Sequence, residues 1–215
     1  MKLSKAKQPE LFKDHAYKEI KKVIIQQQIE PGSTVYERSL SETLGISRTP
    51  LKLALQQLEM EGWIQSVPRK GILVQTIKQQ DVDDVFQLRK ANEALVVELL
   101  IPLLDMKGIQ RLELLAQQVS LANEDLYTFV EYDSAFHLTL AELSQNQRLF
   151  KLMQNLTDHI NWYRFAAIKA GMDLQEASEE HHFIIEGLKA KDVSQTKKIV
   201  SQHIDHIYRL IVKGL

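Results

Sequence analysis

Residues 37–62 read ERSLSETLGISRTPLKLALQQLEMEG, and the organisation of the whole N-terminal half follows from them. Arg38 to Leu44 has the length of a two-turn helix, closed by Gly45, the residue best suited to a left-handed C-terminal cap. After the short link Gly45-Ile46-Ser47, a second helix runs from about Arg48 to Glu61, and Gly62 ends it. Ser47 is its expected N-cap, and Pro50 is tolerated because first-turn amides have no intrahelical partner. Leu51, Ala54, Leu55 and Leu58 form the apolar face, which leaves Arg48, Thr49 and Lys52 free to reach outward.

Upstream, Glu10 to Gln28 reads as an amphipathic helix through Leu11, Tyr17, Ile20, Val23 and Ile24, and Pro31-Gly32 stops it and turns the chain. Downstream, Trp63–Val67 and Gly71–Gln75 read as two short strands around a basic Pro68-Arg69-Lys70-Gly71 turn. This order predicts a winged helix-turn-helix over residues 1–75, three helices plus a β-hairpin wing, whose second motif helix enters a DNA major groove led by its N-terminal side chains.

Charge supports that division. Residues 1–75 carry 12 Lys and Arg against 8 Asp and Glu, whereas the remainder carries 15 against 20, so one half suits a polyanion and the other does not. The absence of Cys excludes disulfides and thiolate chemistry. No apolar stretch approaches a membrane span, since the longest, near Ala94 to Leu104, is broken by Glu98 and Pro102. The N-terminus is too polar for a secretory signal, so a cytoplasmic location and no membrane partner are expected.

Residues 76–80 are polar and Gln-rich and read as a linker. The rest, 81–215, is helical in period, with helices expected at about 81–104, 108–122, 124–144, 147–170, 173–190 and 192–213. Short connections make the neighbours antiparallel, so the fold class is mainly α: the winged helix-turn-helix followed by an antiparallel bundle of about six helices.

Within this bundle Asp133 and His137 stand four residues apart and share a helix face, while His181 and His203 lie on later helices. Three imidazoles and a carboxylate brought together would suit Zn²⁺, Ni²⁺ or Mn²⁺. Spacing alone leaves this open, because a single helical His is more often a surface or capped core residue. His15, His159, His182 and His206 have no partner at metal-ligand spacing. Arg89 and Glu93 form an i, i+4 pair that reads as a solvated or buried ion pair.

Both halves resemble one family. Ile29-Glu-Pro-Gly32, Glu37-x-x-Leu40-Ser41, the string Leu44-Gly-Ile-Ser-Arg-Thr-Pro-Leu-Lys52, Ala54-Leu55, Leu58-Glu59-x-Glu-Gly62 and the Gly71 wing resemble the GntR superfamily of bacterial regulators. The second half resembles the FadR-type all-helical ligand domain through Leu88-Arg89 and Glu93, Asp133-x-x-Phe-His137, Leu143-Ser-x-Asn146, Glu180-His181 with Ile184-Ile185, Lys191-Asp192, and His203.

The resemblance implies a role for each matched position. Arg48 makes the main base contact, forking onto a guanine edge. Arg38, Ser47, Thr49 and Lys52 hold phosphates or flanking bases, and Gly71 lets the wing tip enter the minor groove. Lys52 stands where the family usually has Arg, which exchanges a bidentate fork for a point charge, and Ser41 stands where Ala is usual. Asp133, His137, His181 and His203 bind a divalent metal, Arg89 pairs with an effector carboxylate, and Asn146 supports the site by hydrogen bonding.

The implied protein is a repressor that binds a palindromic operator as a homodimer, answers to a small organic-acid or sugar-acid effector, and is nucleoid-associated when on DNA. Two readings from other classes compete with it. A metalloenzyme built on Asp133 would leave the N-terminal half unexplained and lacks an evident second base or nucleophile. An effector-free architectural DNA-binding protein, its histidines structural, would bind DNA with an affinity that no small acid or chelator alters.

Overall fold

The computed structural model describes residues 8–122, 125–170 and 180–215, which fall into two compact units divided between Ile77 and Lys78. Residues 79–80 of the expected linker already belong to the first helix of the second unit. Among the described residues there are nine α-helices and one three-stranded antiparallel sheet.

The first unit contains α1 (Gln8–Ile25), β1 (Thr34–Val35), α2 (Glu37–Leu44), α3 (Arg48–Met60), β2 (Ile64–Val67) and β3 (Gly71–Val74). Ile20 and Ile24 of α1 are buried with Leu51, Ala54, Leu55 and Leu58 of α3, and Trp63, Ile72 and Val74 complete the core beneath the wing. At the end of α3 the Glu61 carboxylate accepts from Tyr17 Oη at 2.7 Å, Lys21 Nζ at 3.2 Å, Gln57 Nε2 at 3.1 Å and Trp63 Nε1 at 3.2 Å. One side chain thereby ties α1 to the α3–wing junction. Burial opposes the charge on Glu61, yet the hydrogen bonds from Tyr17 and Gln57 and the Lys21 ammonium hold its pKa below the usual value.

The turn of the helix-turn-helix has its own tie. Gly45 takes the left-handed conformation at φ 64°, and Ser41 Oγ donates to the Ile46 carbonyl across the turn at 2.6 Å. The hydroxyl that distinguishes Ser41 from the family's usual Ala therefore pins the corner between the two motif helices. Ser47 occupies the N-cap position of α3, but its side chain makes no cap hydrogen bond and is exposed.

The sheet is larger than the expected hairpin. Its order is β1-β3-β2, with Thr34 opposite Leu73 and Val35 opposite Ile72. A two-residue strand has too few positions to show an alternating pattern, and its partner lies far along the chain. Gly71 acquires a structural role from that extra strand. At φ +105° it sits where a Cβ would lie 2.8 Å from the Val35 carbonyl oxygen. It also pairs with Val67 behind the turn, so the wing tip is Pro68-Arg69-Lys70, all exposed, rather than Gly71 itself.

The second unit comprises α4 (Gln79–Leu100), α5 (Met106–Leu121), α6 (Leu126–Leu143), α7 (Gln147–Lys169), α8 (Glu180–Lys189) and α9 (Val193–Gly214). The expected helix at 173–190 is described only from Glu180, and residues 173–179 lie outside the described residues, as does position 124. Starts are set by capping: Asp105, Asp125, Asn146 and Asp192 each accept a first-turn amide through the side chain. Helix α7 packs against α4, α6 and α9, and its run Trp162-Tyr163-Arg164-Phe165 is wholly buried. Gly187 of α8 allows close contact with α9, since a Cβ there would meet Thr196 Oγ1 at 2.6 Å.

Two glycines in the wing region give a matched test. Gly62→Ala meets open space at φ +80° and should cost about 1 kcal/mol for the backbone conformation alone. Gly71→Ala adds a clash with the Val35 backbone and should cost on the order of 1–3 kcal/mol more. Urea unfolding of the two variants compares them directly, and equal midpoints would mean that β1 does not constrain position 71.

Candidate functional site

In the first unit, α3 turns its apolar face inward and leaves Ser47, Arg48, Thr49 and Lys52 exposed on one end of the helix. Arg38, on α2, is 84% exposed and reaches Glu42 at 2.9 Å. An exposed i, i+4 pair of this kind is worth well under about 1 kcal/mol, so it does not withhold the guanidinium from a phosphate. Arg69 and Lys70 add positive charge at the exposed wing tip.

In the second unit the four expected ligands converge although they come from three helices, Asp133 and His137 from α6, His181 from α8 and His203 from α9. A donor atom from each lies within 4.8 Å of the others, and all four residues are buried. Asp133 Oδ1 lies 3.2 Å from His181 Nε2 and 4.0 Å from His137 Nε2. His137 Nε2 faces His203 Nε2 at 3.2 Å.

The outer nitrogens fix what the inner ones are. His137 Nδ1 is 3.0 Å from Glu93 Oε2, and His203 Nδ1 is 2.7 Å from Glu180 Oε2. A carboxylate only accepts, so each Nδ1 carries the ring proton, and each Nε2 of a neutral ring presents a lone pair. Burial drives the His203 pKa down to about 3 despite its bond to Glu180, and burial lowers that of His137 against the pull of Glu93.

Two lone pairs then face each other across 3.2 Å with no proton between them. Asp133 Oδ1 and His181 Nε2 have only each other, at 3.2 Å, and His181 Nδ1 is buried without a hydrogen-bond partner. Two buried lone pairs facing each other are costly, and a cation between them removes the cost. One carboxylate with three imidazoles is also a donor set suited to a borderline divalent ion.

Around this cluster lie residues that sequence reading left without a role. Glu93 orients His137 and is itself held by Arg89, whose Nε donates to Glu93 Oε1 at 2.6 Å. Burial works against that carboxylate, but His137 and Arg89 hold its pKa far below the usual range. Glu180 orients His203 and also contacts His206 Nδ1 at 2.8 Å, so His206, which has no partner at metal-ligand spacing in the sequence, stands one step from the cluster. Arg164 of α7 donates to Asp133 Oδ2. Against the effect of burial, Arg164 and the neighbouring imidazoles keep Asp133 ionised, with its pKa well below the usual value. The sequence signal for Arg164 was a single charge inside the apolar run from Ile160 to Ala167.

A small cavity beside the cluster is lined by Arg89, Asp133, Ser134, His137, Thr157, Ile160, Asn161 and Arg164. Asn146 is not among them. Its Oδ1 accepts the Leu149 amide at 3.1 Å, which makes it the N-cap of α7, and the amide side chain at the cavity is Asn161. A cap outside the cavity gives no direct support to the cluster.

An exposed recognition helix beside a charged wing, joined to a helical unit with a buried polar centre, defines a two-domain transcriptional regulator. Comparison with known proteins agrees. Residues 12–74 match the model of bacterial regulatory proteins of the gntR family, and residues 84–206 match that of the FCD domain. The chain belongs to the GntR family, with an FCD domain as its second unit, and is a regulator, not an enzyme.

It is similar to the uncharacterized HTH-type transcriptional regulator YdhC of Bacillus subtilis, with 28% identity covering 88% of this chain and 86% of that one. It is also similar to the HTH-type transcriptional repressor RspR of Escherichia coli, at 24% identity covering 89% and 85%. The solved structure of E. coli McbR/YncC shares the fold, with a TM-score of 0.84 at 19% identity over 94% of this chain and 97% of that one. No described helix is long and apolar enough to cross a membrane.

The capping role of Asn146 can be separated from a ligand role. Asn146→Ala should cost about 0.5–2 kcal/mol of stability, while Asn146→Asp, which keeps the acceptor, should lose little. Urea unfolding reads the difference, and an Asp variant as unstable as the Ala variant would show that the cap bond is not what Asn146 contributes.

Proposed function

We propose that the protein is a metal-dependent repressor, binding a palindromic operator as a homodimer and releasing it when a small carboxylate occupies the FCD domain. The observation that carries this reading is the buried set of four donor atoms in which two imidazole lone pairs face each other beside a cavity lined by Arg89. Asp133, His137, His181 and His203 would hold a divalent ion such as Zn²⁺, Ni²⁺ or Mn²⁺, which supplies positive charge and open coordination positions to an anion. Glu93 and Glu180 orient two of the ligands, and Arg89 offers a guanidinium to the effector, an organic or sugar acid.

On DNA, Arg48 at the start of α3 reads a base edge, while Arg38, Ser47, Thr49 and Lys52 position the helix on the backbone. The Gly71 wing brings Arg69 and Lys70 towards the adjacent minor groove. Two recognition helices about one DNA turn apart need two chains, hence the dimer and the palindrome. Effector control corresponds to different effector affinities in the DNA-bound and free states, commonly about 1–3 kcal/mol. The protein would work in the bacterial cytoplasm, nucleoid-associated while bound.

Two measurements test this. Arg48→Ala should weaken specific operator binding by about 1–3 kcal/mol with the fold intact by circular dichroism. An unaltered operator preference would remove Arg48 from base reading. Metal content by mass spectrometry should fall to background in His203→Ala, and Glu93→Gln should lower metal affinity about 10–100-fold. A full metal complement in the His203 variant would break the proposed ligand set.

A further inference from the structure

The exposed end of α3 carries an apolar side chain that the DNA-reading roles above do not use. Of the four exposed residues between Arg48 and Ala54, Arg48, Thr49 and Lys52 bear polar groups, and Leu53 bears none. Leu53 is 45% exposed, while Leu51, Leu55 and Leu58 of the same helix are 4% exposed or less. Core packing therefore accounts for those three leucines and leaves much of Leu53 in water, where an apolar side chain gains nothing.

Helical spacing sorts these four side chains into two rows. Arg48 and Lys52 stand one turn apart and form a cationic row. Thr49 and Leu53, also four residues apart, form a second row beside it that ends in methyl groups. On an ideal helix the Cα atoms of Arg48 and Leu53 are about 8–9 Å apart, of which about 7.5 Å lies along the axis. A major groove is about 8.5 Å deep, so a helix that enters by its N-terminal end still has Leu53 inside the groove. Gln56 and Met60, about 12 and 18 Å along the axis, lie beyond that depth. Within the groove, a side chain with no donor or acceptor cannot read a ring nitrogen, a carbonyl oxygen or an exocyclic amine. The apolar group on those base edges is the C5-methyl of thymine.

We infer that Leu53, with the Thr49 methyl beside it, is a specificity-determining residue that packs on the C5-methyl of a thymine in the operator. At about 3.4 Å per base pair, the separation of Leu53 from Arg48 puts that thymine within about three base pairs of the base that Arg48 reads. The two rows then select differently. Arg48 and Lys52 act through hydrogen bonds and charge, whereas Leu53 rejects cytosine, whose edge lacks the methyl and presents an amine that Leu53 would leave unpaired. The inference rests on the placement of α3 in the major groove proposed above and adds a base-reading residue to it.

The test uses the full-length protein and an operator selected from a random duplex library, with affinities measured by fluorescence anisotropy at one fixed salt concentration. Each thymine of a half-site is replaced in turn by deoxyuridine, which removes the methyl and keeps the base pair. One replacement within about three base pairs of the Arg48 contact should weaken binding about 4-fold, the worth of one buried methyl. Leu53→Ala should bind the thymine and deoxyuridine duplexes nearly equally, and Leu53→Met, which keeps a long apolar side chain, should retain part of the difference. Both substitutions fall on an exposed position, and circular dichroism checks that the fold is kept. A selected half-site without thymine, deoxyuridine tolerated at every position, or a penalty that survives in full in Leu53→Ala would each overturn the inference and leave the Arg48 reading standing. A library that yields no preferred sequence would overturn both.

Discussion

The two imidazole nitrogens that face each other across 3.2 Å, each with its proton committed to a carboxylate on the far side, constrain the C-terminal unit more than any other contact. Lone pairs do not choose such a position in a dry interior. The helices that carry the ligands are held by apolar packing, with Phe136, Ile184, Ile185, Val200 and Ile204 buried on the same three helices and the Phe136 ring against those of His137 and His181. Helix α4 carries Arg89 and Glu93, and α7 carries Arg164, so five helices contribute to one polar centre. A partly satisfied buried network is destabilising, whereas a completed one specifies a single packing. On the proposed function, a bound ion completes this network and so links ligand occupancy to the packing of the bundle.

The N-terminal unit meets the opposite requirement. It must hold a helix rigidly while leaving its polar end unengaged. Its polar contacts are gathered where they cannot compete with DNA: Glu61 collects four donors at the far end of α3, and Ser41 pins the inter-helix corner. Ser47, Arg48, Thr49 and Lys52 remain exposed. Even at the N-cap position of α3 the Ser47 side chain makes no cap bond and stays exposed.

Much of this was legible in the chain because it depends on local chemistry. The Gly45 corner, the face formed by Leu51, Ala54, Leu55 and Leu58, and the wing around Pro68 to Gly71 are set by residues within a few positions of one another. The i, i+4 spacing of Asp133 and His137 is likewise local. Resemblance to a family supplied His181 and His203, which spacing alone left undecided. Asn146 shows the limit: its motif was visible, but whether an amide caps a helix or faces a cavity depends on where the next helix goes.

What the sequence by itself determined is therefore the set of elements, the division into a basic DNA-reading half and a helical half, and the residue types able to bind metal and base. Only the tertiary structure decided that Glu93 and Glu180 orient the imidazoles, that Arg164 meets Asp133, that Asn161 and not Asn146 lines the cavity, and that a two-residue strand makes Gly71 obligatory. These contacts join residues 23 to 44 positions apart, and each depends on how whole helices and strands pack, which no local spacing records.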